Sequence, residues 1–142
     1  KAQQSYEQEK QPHMLELASS YVEKLTGERY TLDILGINKG VALINNNGER
    51  LELKFWSSGL ADQVYLSLRL ALAKVFSYQV ESLPIILDDI LVRFDENRQR
   101  SALELLAELG KNQQIWLFTC QRSVYDMAQS IMGIDCHRLS RS

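Results

Sequence analysis

The sequence predicts an α/β chain in which an antiparallel β-hairpin region precedes βαβ units on a mainly parallel sheet. Three observations lead there. β-Prone stretches at residues 30–35, 41–44 and 51–55 are separated by residues 36–40 and by Asn45-Asn46-Asn47-Gly48, the spacing of a hairpin or meander. Beyond residue 83, short apolar runs alternate with helical segments, a pattern that implies parallel strands joined by helices. With 142 residues, 45% apolar and 24% charged, the composition is that of a globular domain able to bury its own core.

Along residues 14–25 the apolar positions Met14, Leu15, Leu17, Ala18, Tyr21, Val22 and Leu25 recur at steps of three and four, and Gly27 supplies a stop, so an amphipathic helix is expected. Residues 1–11 are charged and polar without clear periodicity. They read as the end of a longer solvated helix, such as a coiled-coil arm, interrupted at Pro12. The pair Asn47-Gly48 predicts a type I′ turn between the second and third strands. Residues 59–77 carry Leu60, Val64, Leu66, Leu68, Leu70, Leu72, Val75 and Phe76 on nearly every side, which predicts a helix buried between layers. There follow a strand at 84–87, a helix at 96–109, a strand at 114–119, a helix at 124–132 and a closing strand near 136–139.

Sixteen Lys and Arg against eighteen Asp and Glu leave a net charge of −2, which does not support a whole-domain grip on nucleic acid or an anionic membrane. DNA stays open as a partner through a local patch. No apolar run approaches the roughly 20 residues of a membrane span, and residues 1–12 are too polar for a signal peptide, so no membrane partner and a cytoplasmic location are expected. Two cysteines, Cys120 within an apolar run and Cys136, read as reduced core thiols. The chain opens on Lys1 and its first methionine is Met14, as expected of a fragment of a longer polypeptide.

In parallel α/β folds ligands gather at the carboxyl ends of strands. Residues 84–87 deliver Asp88-Asp89, and the run ending at Phe118 delivers Thr119-Cys120-Gln121. Adjacent carboxylates at a strand end suit Mg²⁺-nucleotide chemistry, one in the metal shell and one polarising water. Ser57-Ser58-Gly59 opens a helix, where backbone N–H groups and the positive dipole end attract an anion. Each feature has a plainer reading. Asp88 would cap local N–H groups, Asp95 would be the N-cap of Asp95-Glu96-Asn97-Arg98, and Ser57 would cap its own helix.

In order, Trp56-Ser57-Ser58-Gly59-Leu60-Ala61-Asp62-Gln63, Leu68-Arg69-Leu70-Ala71-Leu72-Ala73, Ile85-Ile86-Leu87-Asp88-Asp89, Phe94-Asp95-Glu96-Asn97-Arg98 and Phe118-Thr119-Cys120-Gln121 resemble the C-terminal half of an ABC-type ATPase head. The likeness is to the YhaN family, long-armed ATPases related to SbcC-type DNA repair proteins and to the structural-maintenance-of-chromosomes (SMC) proteins. It implies a division into residues 1–27, the end of a coiled-coil arm and the helix leading into the head, and 28–142, the C-terminal lobe. It implies ATP and Mg²⁺, an N-terminal P-loop lobe from the same polypeptide, a second head, and work in DNA repair or chromosome maintenance.

By the resemblance, Ser57, Ser58 and Gly59 form the signature that meets the γ-phosphate on the opposite head, and Arg69 couples nucleotide to arm. Asp88 becomes the Walker B carboxylate of the Mg²⁺ shell, Asp89 the general base, Asp95 a D-loop residue and Gln121 the switch. Trp56 stands where Leu is usual, Leu60 where a small polar residue is, and Asp89 where most ABC ATPases have Glu. Gln121 replaces a switch histidine and can only hydrogen-bond.

The chain lacks a P-loop. Its single Gly-Lys pair, Gly110-Lys111, has Leu105 in place of the first glycine and Asn112 in place of the hydroxyl. Isolated, it is expected to be inactive. Two further readings stay open: a non-catalytic module that tethers DNA or a partner, and a Mg²⁺ nuclease using Asp88, Asp89 and Asp95.

Overall fold

The computed structural model describes residues 2–34, 40–77 and 83–140, with side chains from residue 12 onward except that of Ile34. The chain divides into two compact units, Lys1–Glu81 and Ser82–Ser142.

The first unit begins with helix α1, Ala2–Leu25. It runs through Pro12 where an interruption was expected, because one missing N–H removes one bond from a ladder that Glu7-Gln8-Glu9-Lys10 and Met14-Leu15-Glu16-Leu17, all good helix formers, sustain on both sides. Its last turn closes where expected: Gly27 has φ 64°, and the Glu28 N–H reaches the Glu23 carbonyl at 2.7 Å. Strands β1 (Tyr30–Ile34), β2 (Val41–Asn45) and β3 (Arg50–Glu52) then form an antiparallel meander in that spatial order. The expected end of the first strand at Leu35 lies outside the described residues.

The β2–β3 turn departs from type I′. Asn45 accepts from the Gly48 N–H at 2.9 Å, and Gly48 takes φ 78° while Asn46 and Asn47 keep negative φ. The Asn45 side chain explains this, since its Oδ1 accepts from both the Asn47 and Glu49 N–H groups and draws the turn one residue earlier. The third strand also stops early. Glu52 pairs with Ala42, β2 begins one residue further on, and with the ladder running out Leu53–Phe55 turns into a 3-10 helix that leaves Leu53 and Phe55 exposed.

Helix α2, Ser58–Ser77, packs on α1. Leu60, Val64, Leu66, Leu70 and Ala71 of α2 are buried, as are Ala18, Tyr21, Val22 and Leu25 of α1 and Leu32, Ala42 and Leu43 of the sheet. Contrary to the expectation of burial on all sides, Tyr65, Leu72 and Phe76 are exposed, since the apolar face turned to α1 uses only part of the helix surface.

In the second unit β4 (Ile85–Asp88) and β5 (Ile115–Phe118) pair in parallel, with α3 (Glu96–Leu109) as the crossover and α4 (Arg122–Gln129) following. Leu87, Leu91, Phe94, Ala102, Leu103, Leu105, Leu106, Val124 and Ala128 make its core. α3 is N-capped by Asp95, whose side chain accepts from the Arg98 N–H at 2.8 Å. Residues 136–139 form no strand: the ladder that would hold them has only β4 and β5 among the described residues, and apolar alternation without a partner does not make a strand. No described helix is long and apolar enough to cross a membrane.

Candidate functional site

Period-two alternation along β4 turns Leu87 into the core and leaves Asp88 exposed, opposite Phe118 in register. The side chain of Asp88 makes no hydrogen bond within the described residues. Asp89 continues the ladder by one bond, donating its N–H to the Phe118 carbonyl at 2.8 Å, and there the backbone swings to φ 52°. That left-handed conformation disfavours a residue with a Cβ, and Asp tolerates it better than most. The carboxylate is asymmetric. Its Oδ2 faces the Cys120 thiol at 3.6 Å, whereas its Oδ1 is buried with no hydrogen-bond partner among the described residues. An unsatisfied buried acceptor costs about 1–3 kcal/mol, and it sits on a residue already strained. Two such costs on one strand-end carboxylate fit a group held ready for a ligand.

Beyond β5, Thr119 Oγ1 accepts from the Gln121 N–H at 3.1 Å, and Gln121 then takes the N-cap position of α4. The Oε1 of Gln121 accepts from Gln99 Nε2 at 3.4 Å, and the same nitrogen donates to the Leu91 carbonyl at 3.3 Å. Gln99 thereby joins the loop after β4 to the loop after β5. Cys120, expected as a core thiol, is a free thiol and is exposed, because it lies two residues beyond the end of β5, outside the apolar run.

In the first unit Ser57 directly precedes α2. Its Oγ accepts from the Leu60 N–H at 3.2 Å and its carbonyl from the Ala61 N–H at 2.9 Å, which is the geometry of an N-cap. Ser57 and Ser58 are exposed and Gly59 is buried. Trp56, the bulky departure from the usual signature, donates its indole N–H to the Leu51 carbonyl at 3.0 Å and so ties this segment to the meander. Arg69 lies over the Tyr65 ring, 5.7 Å from its centroid.

The sequence singles out Asp88, Asp89, Asp95, Gln121, Arg69 and the 57–59 segment as candidates. The second unit brings Asp89, Cys120, Gln121 and Gln99 into one chain of contacts, and Asp95 stands at the start of the helix that carries Gln99. Gln99 was missed. A signal existed: it falls on the stripe Gln99, Ala102, Leu103, Leu106, a polar residue at a buried helical position. The described residues contain no cluster of three or more potential metal-ligating side chains. The Asp88-Asp89 pair, hard oxygen donors on one strand end, nonetheless fits Mg²⁺, which one or two carboxylates commonly hold together with phosphate oxygens.

No model of a known protein family matches the chain. The uncharacterized protein YhaN of Bacillus subtilis is 33% identical over 122 residues, which is 84% of this chain and 12% of the relative's length. The SMC head domain of Thermotoga maritima superposes with a TM-score of 0.65 at 19% identity, covering 82% of this chain and 40% of that one. An SMC ATPase structure concerned with ATP-driven dimerization and DNA-stimulated activation gives 0.68 at 16% identity, covering 89% and 78%. The Pyrococcus furiosus Smc head bound to the C-terminal domain of ScpA gives 0.59 at 14% identity, covering 82% and 30%.

Proposed function

We propose that this chain, whose fold is that of a C-terminal part of an SMC-like ABC ATPase head, supplies the Walker B motif of its own head's ATP-hydrolysing site and, in trans, the signature that meets ATP on a second head. The observation that carries the reading is Asp89, with a buried, unpartnered Oδ1 on a left-handed residue at the end of a parallel strand. On this reading Oδ1 accepts a hydrogen bond from the attacking water and takes its proton, while the Cys120 thiol orients the carboxylate through Oδ2. Gln121 donates from its amide to the γ-phosphate or that water.

Asp88, exposed and without a hydrogen-bond partner among the described residues, shares in holding Mg²⁺, together with a P-loop hydroxyl and phosphate oxygens from elsewhere. Bound there, Mg²⁺ supplies charge neutralisation for the phosphates. Ser57, Ser58 and Gly59 present the start of α2 to the γ-phosphate held by a second head. The Ser57 hydroxyl accepts from Leu60 and still has its own proton to donate. Asp95 belongs to the D-loop at the dimer interface. Arg69 couples nucleotide state to the arm, whose end is residues 1–27, while 28–142 form the lobe.

The N-terminal P-loop lobe of the same polypeptide completes the site. In support, Ile86, Trp116 and Phe118 leave one face of the parallel sheet bare at 61%, 48% and 44% exposure, although parallel sheets are ordinarily covered on both faces. A cytoplasmic place in DNA repair or chromosome maintenance belongs to the same reading, by kinship with the SMC heads. It is tested by Ser57→Arg in the parent polypeptide, in a hydrolysis-blocked background. A bulky cation at the start of α2 opposes the dipole and fills the place of the phosphate. Light scattering should show nucleotide bound but ATP-driven association of heads lost. Association that survives would reduce Ser57 to a helix cap.

A further inference from the structure

The Nε2 of Gln99 stands 3.3 Å from the Leu91 carbonyl oxygen and 3.4 Å from Gln121 Oε1. The orientations of both amides follow from the backbone. A carbonyl oxygen can only accept, so the end of Gln99 facing Leu91 is its NH₂ group, and the atom of Gln121 that meets the same NH₂ group must be an acceptor. With Oε1 so engaged, the free end of Gln121 is its own NH₂, which has no partner among the described residues. Gln99 is 5% exposed and sits on α3, so the anchor is held by the core and not by solvent.

We infer that Gln99 is a positioning residue: it fixes the Gln121 amide with its N–H donors as the end offered to ligand, and ties that orientation to the turn between β4 and α3. The inference rests on the ATPase reading, in which Gln121 meets a γ-phosphate or the attacking water. An anion calls for donors, and a flipped Gln121 would offer a carbonyl oxygen and repel it. Leu91, the fixed end of the relay, is a buried residue four positions before Asp95, so a displacement of the D-loop segment has a direct route to Gln121.

The test is a double-mutant cycle in the parent polypeptide, with kcat and KM for MgATP and the unfolding midpoint measured for Gln99→Met, Gln99→Glu, Gln121→Leu and Gln99→Met/Gln121→Leu. Gln99→Met keeps the volume but removes the donor, and should lower kcat about fivefold to tenfold, the worth of one hydrogen bond, with KM within about twofold. Gln99→Glu can only accept, so it should turn the Gln121 amide round and lower kcat at least as far despite its equal size. The double variant should lose no more than Gln121→Leu alone, since Gln99 acts only through Gln121. Losses that multiply in the double variant, or wild-type kcat in Gln99→Glu, would overturn the inference while leaving the ATPase reading standing. A parent polypeptide without MgATP turnover would instead overturn that reading. Should Gln99→Met fail to fold, Gln99→Glu against Gln121→Leu decides the same question.

Discussion

The side-chain amide of Gln63 donates to the backbone carbonyl of Leu25 at 2.6 Å, so the helix that begins at Ser58 holds the final turn of α1. Gln63 is 1% exposed, and Ser67 Oγ donates to its carbonyl at 2.8 Å, which places a polar link inside the α1–α2 interface. The last carbonyls of a helix have no partner within it, and a buried one needs a donor from elsewhere.

Gln63→Leu should therefore destabilise the chain by about 1–3 kcal/mol, the cost of a buried acceptor left unsatisfied, although leucine is close in volume and better in transfer free energy. Chemical denaturation checks this through a lower midpoint at unchanged slope. A midpoint equal to wild type would mean that water or a local shift satisfies Leu25.

Asp89 combines a left-handed backbone with an orphaned carboxylate oxygen, and two small substitutions separate the parts. Glycine adopts φ 52° freely, whereas alanine keeps a Cβ in the left-handed region. Both remove the orphaned Oδ1. Asp89→Gly is expected to exceed Asp89→Ala in stability by about 1 kcal/mol, read as the difference between their unfolding midpoints. Equal stability would show that the left-handed conformation is not strained in this fold.

Much of this arrangement was legible in the sequence, and the losses have identifiable causes. Gly27, the Asp95 cap and the apolar runs at 85–87 and 115–118 act through their own local chemistry, and each appears where its residues require. The β2–β3 turn was misread because Asn45 competes for the N–H groups of Asn47 and Glu49, and the residue pair alone does not reveal which of three consecutive asparagines will win. The stretch 53–55 and the tail at 136–139 needed a ladder partner, which periodicity cannot supply. At the site, the strand-end carboxylates were visible as residue types. The conformation of Asp89 and the bridge through Gln99 depend on which loops meet, and that is settled by tertiary packing.

The chain by itself is expected to bind MgATP only weakly, because the backbone cradle and lysine of a P-loop supply most phosphate contacts. Its one Gly-Lys pair cannot substitute. Gly110 is the C-cap of α3, at the negative end of the helix dipole, where a phosphate is repelled. Titration calorimetry should show dissociation constants in the millimolar range or no heat. Micromolar binding would contradict the half-site account.

The central claim is that Asp89 accepts the proton of the attacking water, and Asp89→Asn in the parent polypeptide tests it most directly. Asparagine is nearly isosteric and tolerates the left-handed backbone, so fold and nucleotide binding should persist, yet its amide cannot take a proton. The account predicts MgATP binding within about twofold of wild type and turnover lower by about a hundredfold or more. Turnover equal to wild type would contradict the general-base role, and a wild-type protein that turns over no ATP would favour a tethering module in which these carboxylates only shape the strand end.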